Sequence, residues 1–259
     1  MTAPLFFADA EKLRSAGVGD VVLLDGPEGR HAASVRRLTV GEKLELADGE
    51  GLVCSAEVAA VVGSAIQARI VSSRQLPALR PRLTVVQALA KGDRDERAIE
   101  TMTEVGVDEI VPWQASRCIV RWDAARAAKG TAKWRATARE AAKQARRPWI
   151  PEIADLQTTQ RIVQRLGGRV SSSGREVGDV VVLVLHESAT EPIGGVSLGD
   201  VDEVVVVVGP EGGITDDELA AFAAAGAKTV RLGPTVLRTS TAGTVAAAVV
   251  FAGSGRWKS

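Results

Sequence analysis

Val204-Val205-Val206-Val207-Val208-Gly209-Pro210-Glu211-Gly212-Gly213-Ile214-Thr215 sets the fold class of this chain. Five consecutive valines with no polar alternation read as a strand buried on both faces, the kind that builds parallel sheets. Gly-Pro ends the strand. Thr215, with Glu218 three residues on, forms a capping box and opens a helix. The order is strand, glycine loop, helix. Glycine permits a turn at φ > 0, expected here at Gly212, and lets a flat ligand approach the backbone. The helix start adds free N–H groups. A tight turn alone would also account for this loop, and Gly26-Pro27-Glu28-Gly29 nearly repeats its tetrapeptide elsewhere. The position behind a hydrophobic strand is therefore what carries the reading.

A second segment of the same texture follows: Val230-Arg231-Leu232-Gly233-Pro234, then Val236-Leu237-Arg238-Thr239-Ser240-Thr241-Ala242. The strand is expected at 229–232 and the next helix at 241–251, Ala-rich and apolar on nearly every side. A loop of this kind between two core elements usually binds something, although Thr239 or Ser240 could simply cap the helix. A third strand, Val180–Leu185, ends at His186-Glu187-Ser188. His186 could be a base, but a lone histidine more often hydrogen-bonds a loop. Three loops at the C-terminal ends of strands lie where open α/β sheets bind ligands.

Working outward, residues 82–259 alternate strands and helices, which implies a parallel sheet. Strands are expected at 83–89 and 109–112. Asp93 with Glu96 reads as a capping box for a helix that Gly106 stops. A long helix is expected at 131–147, ended by Pro148. Residues 167–179 read as a flexible insertion. Upstream, residues 1–74 are β-rich, with strands at Val21–Leu24, Lys43–Ala47, Leu52–Val62 and 65–71 and a short helix at 31–38. Residues 75–81 carry two prolines and read as a linker.

The composition, 46% hydrophobic and 25% charged, is that of a soluble globular protein. No apolar run is long enough to span a membrane, and the N-terminus does not read as a signal peptide. Cys54 and Cys118 are too few for a disulfide framework or a zinc site. With only His31 and His186 as imidazoles, no metal centre is expected. A cytoplasmic protein with reduced thiols follows. The net charge is zero, but residues 117–147 hold ten Lys/Arg against Asp123 and Glu140. Pairing along the helix cannot neutralise such a face, so a polyanion is the expected partner. Arg139, Lys143 and Arg146 would share one helical face, with Glu140, Gln144 and Arg147 adjacent. Arg suits phosphates and Gln suits a base edge.

These segments, together with Lys91-Gly92-Asp93-Arg94-Asp95-Glu96, Thr103-Glu104-Val105-Gly106-Val107, Ser116-Arg117-Cys118, Glu140-Ala141-Ala142-Lys143-Gln144-Ala145-Arg146-Arg147 and Ile150-Pro151-Glu152-Ile153, resemble in order and spacing the 16S ribosomal RNA uracil-N3 methyltransferase family of the SPOUT superfamily. The resemblance implies an α/β SPOUT domain whose parallel sheet carries a deep trefoil knot, preceded by a PUA-like β-barrel. It implies S-adenosyl-L-methionine bound in a bent form without metal, on Leu185, His186, Gly209, Pro210, Glu211, Gly212, Gly213, Leu232, Gly233, Leu237, Arg238, Thr239, Thr241 and Ala242. It also implies a homodimer packed through the last helix, and 16S ribosomal RNA of the small ribosomal subunit as substrate. His31, Arg36, Arg37, Arg139, Lys143, Gln144 and Arg146 are the expected RNA contacts. The candidate catalytic side chains are Arg117, Arg147 and Arg238 as cations and Glu140 as proton acceptor, with Arg146 a further cation and Glu211 a second acceptor. Three positions depart from the family: Thr235 stands for its Arg, Ser240 for its Glu, and Leu5 for an Arg before the first aromatic pair. A SPOUT enzyme acting on another RNA and a noncatalytic RNA-binding protein are the alternatives.

Overall fold

A computed structural model describes residues 3–168 and 178–257. Residues 169–177, the body of the expected insertion, lie outside the described residues. The chain divides into two compact units. One comprises Met1–Ala78 with Ala142–Ile150, the other Leu79–Ala141 with Pro151–Ser259.

The first unit is built on β1 (Leu5–Phe7), α1 (Ala10–Ser15), β2 (Val21–Leu24), α2 (Gly26–Arg30), β3 (Lys43–Ala47), β4 (Leu52–Val62) and β5 (Ala65–Gln75). Its sheet runs β1-β3-β4-β5-β2, antiparallel except for the β1–β3 pair. The alternating inward residues of these strands, among them Leu44, Leu46, Ile66 and Ile70, close a core with Phe6 and Leu13. Leu5, where the family has an Arg, is buried with Phe7, Ala47 and Ala142. The helix expected at 31–38 is replaced by α2 and a single π turn, His31–Val35. Pro27 falls in the first turn of α2, where its missing N–H costs nothing. A Cβ on Gly29 would strike the Leu24 carbonyl. The tetrapeptide that echoes residues 209–212 is thus a helix start packed against its own strand.

The second unit holds β6 (Arg82–Ala88), α3 (Arg94–Val105), β7 (Glu109–Trp113), most of α4 (Ala124–Gln144), β8 (Glu152–Ile153), α5 (Thr159–Gly168), β9 (Val180–Leu185), β10 (Glu203–Val208), α6 (Asp216–Ala224), β11 (Lys228–Val230) and α7 (Thr239–Ser254). All six strands are parallel, in the order β11-β9-β10-β6-β7-β8. The β10 valines are buried on both faces, as their unbroken run requires. Helix α7 packs on α3, β10 and β6. From β6 the sheet grows one way through β7 and β8 and the other way through β10 and β9. The switch point falls between β6 and β10, where such sheets open a crevice at the strand C-termini.

Three helix boundaries differ from expectation. Asp93 makes no capping bond, and Glu96 pairs with Lys133 instead. Gly106 does end α3, at φ 113°. Helix α4 begins at Ala124 and ends at Gln144, so Arg146 is not on its face. The chain closes there by bonds from the Arg146 N–H to the Lys143 carbonyl and from the Arg147 N–H to the Ala142 carbonyl. This is a Schellman arrangement with Arg146, at φ 52°, in the left-handed position glycine usually takes. Helix α7 starts at Thr239, two residues before expectation.

Candidate active site

The strand ends of β9 and β10 and the segment after β11 meet in one cavity of about 650 Å³, within the range of small-molecule sites. Its walls include Leu185 and His186 after β9, then Gly209, Pro210, Glu211, Gly212 and Gly213 after β10. Leu232, Gly233, Leu237, Arg238, Thr239 and Ala242 complete them from the last segment. All were expected at the cofactor site. Thr241, also expected there, is exposed on α7 and does not line the cavity.

The glycines act for different reasons. Gly213, not Gly212, takes the left-handed turn, at φ 77°. Gly212 is small because a Cβ there would lie 2.8 Å from the Arg117 carbonyl oxygen, and Gly209 because one would lie 2.7 Å from Ile214 Cγ1. At Gly233 a Cβ would meet nothing within 4 Å. The loops therefore present bare backbone to the cavity.

Two buried side chains hold these loops together, one missed by the sequence reading and one expected only as part of a capping box. Gln87, fully buried at the end of β6, donates from Nε2 to Thr239 Oγ1 at 3.0 Å. The Thr239 hydroxyl donates in turn to the Gly209 carbonyl at 2.8 Å. Thr239 thus ties the two loops rather than capping α7, whose N-cap is Arg238. The second is Glu218. Its carboxylate completes the expected capping box with Thr215 and also accepts hydrogen bonds from Ser116 and Thr159. The only sequence cue to either was a polar residue inside a β-rich apolar run, Gln87, and the capping box itself.

Four arginines line the cavity, Arg94, Arg117, Arg231 and Arg238, against Glu187 and Glu211. Arg94 was not foreseen. It donates to Glu211 Oε1 at 2.8 Å, and the Lys91 N–H donates to the same oxygen. Partial burial works to raise the Glu211 pKa, but hydrogen bonds from its own backbone, Arg94 and Lys91 outweigh it, and the carboxyl sits below its ordinary value. Asp95, buried behind this pair and accepting from the Ala90 N–H at 2.7 Å, is pushed up to about 7 by burial. His186 Nδ1 lies 2.8 Å from Ser188 Oγ and accepts from the Ser188 N–H, so this histidine holds its loop. Thr235 is exposed at the cavity wall, and Ser240 is buried in the first turn of α7.

Of the candidate catalytic residues, Arg117 and Arg238 line the cavity. Glu140, exposed on α4, and Arg147 do not. Among the candidate RNA contacts, Arg36, Arg37, Gln144 and Arg146 are exposed in the first unit, with Arg37 left-handed at φ 54°. His31 is half-buried with its ring edge-on to Phe6. Arg139 is half-buried on α4 in the second unit. Lys143 is only 8% exposed, with Nζ 3.4 Å from Glu28 Oε1, so it is an internal ion pair and not a surface contact. Among the described residues no cluster of His, Cys, Asp or Glu could hold a metal.

The chain carries an RNA methyltransferase domain, whose family model matches residues 78–251, and an RNA methyltransferase PUA domain, matched over residues 24–71. The ribosomal RNA small subunit methyltransferase E of Mycobacterium bovis is 46% identical over 257 residues, covering 99% of this chain and 94% of the relative. That of Bacillus subtilis is 28% identical, covering 85% of each. A crystal structure of a ribosomal RNA small subunit methyltransferase E from Neisseria gonorrhoeae, bound to S-adenosyl methionine, superposes with a TM-score of 0.83 at 26% identity, covering 97% of this chain and 98% of that one. This chain belongs to the ribosomal RNA small subunit methyltransferase E family.

Proposed function

We propose that the protein methylates N3 of a uridine in 16S ribosomal RNA of the small ribosomal subunit, with S-adenosyl-L-methionine as methyl donor. The cavity of the second unit carries this reading. Two glycine loops present bare backbone to it, and a family member of the same fold binds that donor. Space at Gly233 and backbone at 209–213 fit a flat, polar ligand, which Leu185, Leu232, Leu237 and Ala242 would hold by apolar contact.

The bound donor supplies a methyl group on a positively charged sulfur. The rest falls to the chain. Uracil N3 carries a proton that must pass to solvent as the methyl approaches, and until the N–CH3 bond forms the ring carries negative charge. Arg117 and Arg238, both at the cavity wall, are placed to stabilise it. Glu211 is a poor acceptor for the proton, because the donors that lower its pKa also lower its basicity. Its carboxylate fixes Arg94 and the Lys91 turn instead. A paired uridine hides N3, so the target base must be unpaired or flipped. Arg36, Arg37, Arg139, Gln144 and Arg146 supply the RNA contacts.

We further infer that the first sheet closes as a PUA-like barrel, consistent with the family match over residues 24–71. We also infer that residues 209–213 and 232–242 form a deep trefoil knot, since α7 returns from the β11 edge to pack on β10 and β6. The working unit is a cytoplasmic homodimer built across α7, on which Val245 and Ala248 are half-exposed. No described helix is long and apolar enough to cross a membrane.

Calorimetric titration with S-adenosylmethionine, followed by nucleoside mass spectrometry of treated small subunits, tests the function. The expected results are a single metal-independent site and 3-methyluridine in 16S RNA. Absence of donor binding sinks the enzyme reading, and methylation of tRNA instead sinks the substrate.

A further inference from the structure

Glu218 has more partners than a helix cap needs. It is 4% exposed. Its Oε2 accepts from the N–H and hydroxyl of Thr215, both at 3.1 Å, which is the capping box. Its Oε1 accepts from the Ser116 N–H at 2.8 Å, the Ser116 hydroxyl at 3.0 Å and the Thr159 hydroxyl at 2.9 Å. Thr159 also receives the Trp113 indole N–H at 3.1 Å. Five donors from three segments far apart in sequence converge on one buried carboxylate. Charged acceptors make the stronger hydrogen bonds, and a buried site strengthens them further.

The consequence lies one residue along. Ser116 precedes Arg117, whose carbonyl faces the space beside Gly212 that a side chain there would fill. Arg117 Nη1 lies 3.4 Å from the Gly212 carbonyl. One end of the Glu218 carboxylate thus fixes the segment carrying the cavity arginine, and the other fixes the end of the loop facing it. We propose that Glu218 is a positioning residue that sets Arg117 in register with the 209–213 loop for methyl transfer. Hydrogen bonding holds the carboxyl below its ordinary value against the opposing effect of burial, so it stays an acceptor at neutral pH.

The proposal rests on the methyltransferase reading of the cavity. Its test separates the loop side of the carboxylate from the cap side, using the full-length protein. Glu218→Gln and Ser116→Ala loosen the Ser116 side, whereas Thr215→Ala loosens only the cap. Glu218→Gln is expected to speed amide hydrogen exchange across residues 114–121 and to lower kcat by about a hundredfold, the scale of a misplaced catalytic group. The KM for S-adenosylmethionine should change less than threefold. Ser116→Ala should move kcat in the same direction. Thr215→Ala should lower Tm while leaving exchange at 114–121 unchanged. In an Arg117→Ala background, Glu218→Gln should add little further loss, since both act through one group. Multiplying effects, an Arg117→Ala enzyme of full activity, or unchanged exchange at 114–121 in Glu218→Gln each overturn the proposal. The exchange readout needs no turnover, so a wild type without methyltransferase activity would fault the function while the Glu218–Ser116 link is still measured.

Discussion

Gly212 and Gly233 face the same cavity but should differ in how the same substitution affects stability. An alanine Cβ at position 212 would lie 2.8 Å from the Arg117 carbonyl oxygen and 3.0 Å from Arg117 Cβ. Neither is the far end of a flexible side chain, so backbone must move. Overpacking of this kind costs about 1–3 kcal/mol. For a domain of this size that is a fall in Tm of roughly 2–12 °C. The movement also displaces the loop proposed to contact the donor, so affinity should drop with stability. At Gly233 the added methyl meets no protein atom within 4 Å. Folding should be unaffected, within about 0.5 kcal/mol, while the methyl occupies space the donor needs. Gly213→Ala falls between, because its φ of 77° costs a non-glycine residue about 1–2 kcal/mol. Thermal melts without ligand, paired with calorimetric titrations of S-adenosylmethionine, give the two axes. The expected order of Tm is Gly233→Ala equal to wild type, then Gly213→Ala, then Gly212→Ala. A Gly212→Ala protein with wild-type Tm and affinity refutes the steric argument. A Gly233→Ala protein that binds the donor normally refutes the placement of the ligand.

Lys143→Ala should lower Tm by removing one partner of the buried pair with Glu28, whereas Arg139→Glu should reduce the salt slope of RNA binding by about one or more; equal effects on RNA binding would contradict the buried pair. Asp95 has a folded pKa raised to about 7 from its ordinary 3.8, so it holds its proton longer in the native state than in the unfolded chain. Its contribution is therefore present at low pH and lost as pH rises between those two values. Chemical denaturation at pH 4 and pH 8 should show that loss in wild type and not in Asp95→Asn, and equal pH dependence in the two proteins would contradict the burial argument. Ala247 is fully buried within one chain and cannot report on a dimer; Val245→Glu, on the half-exposed side of α7, should yield monomers in sedimentation with little loss of Tm, and a dimer that persists removes this face from the interface.

Much of the second unit was legible because its signals are local. The strands at Val180–Leu185 and 204–208 announce themselves as unbroken β-branched runs, and the Thr215–Glu218 box forms as its spacing requires. Helix α4 was misread at both ends for reasons that are not local. Gly130 looks like a boundary, yet it is a helical residue kept small by the Trp122 ring packed against it. At the other end an arginine takes the left-handed position, and no glycine marks the stop. The basic strip was legible as charge, but the burial of Lys143 was not, because its partner Glu28 lies 115 residues away in α2. Gln87, and the bonds of Glu218 beyond its capping box, were hidden for the same reason. Their meaning lies in Thr239, Ser116 and Thr159, and no spacing rule connects these.

The hydroxyl of Thr239 closing on the Gly209 carbonyl has a consequence in time. A chain emerges from its N-terminus, and domains tend to fold as they appear. The first unit has all its parts once Ile150 has been made. The second cannot close its cavity until Thr239 and the helix behind it exist, because they supply both a wall and the bond that draws the two loops together. The cavity is therefore completed only after the first unit has all its residues. A nascent protein halted between Ile150 and α7 would already carry its basic segments while lacking the cavity proposed for the methyl donor.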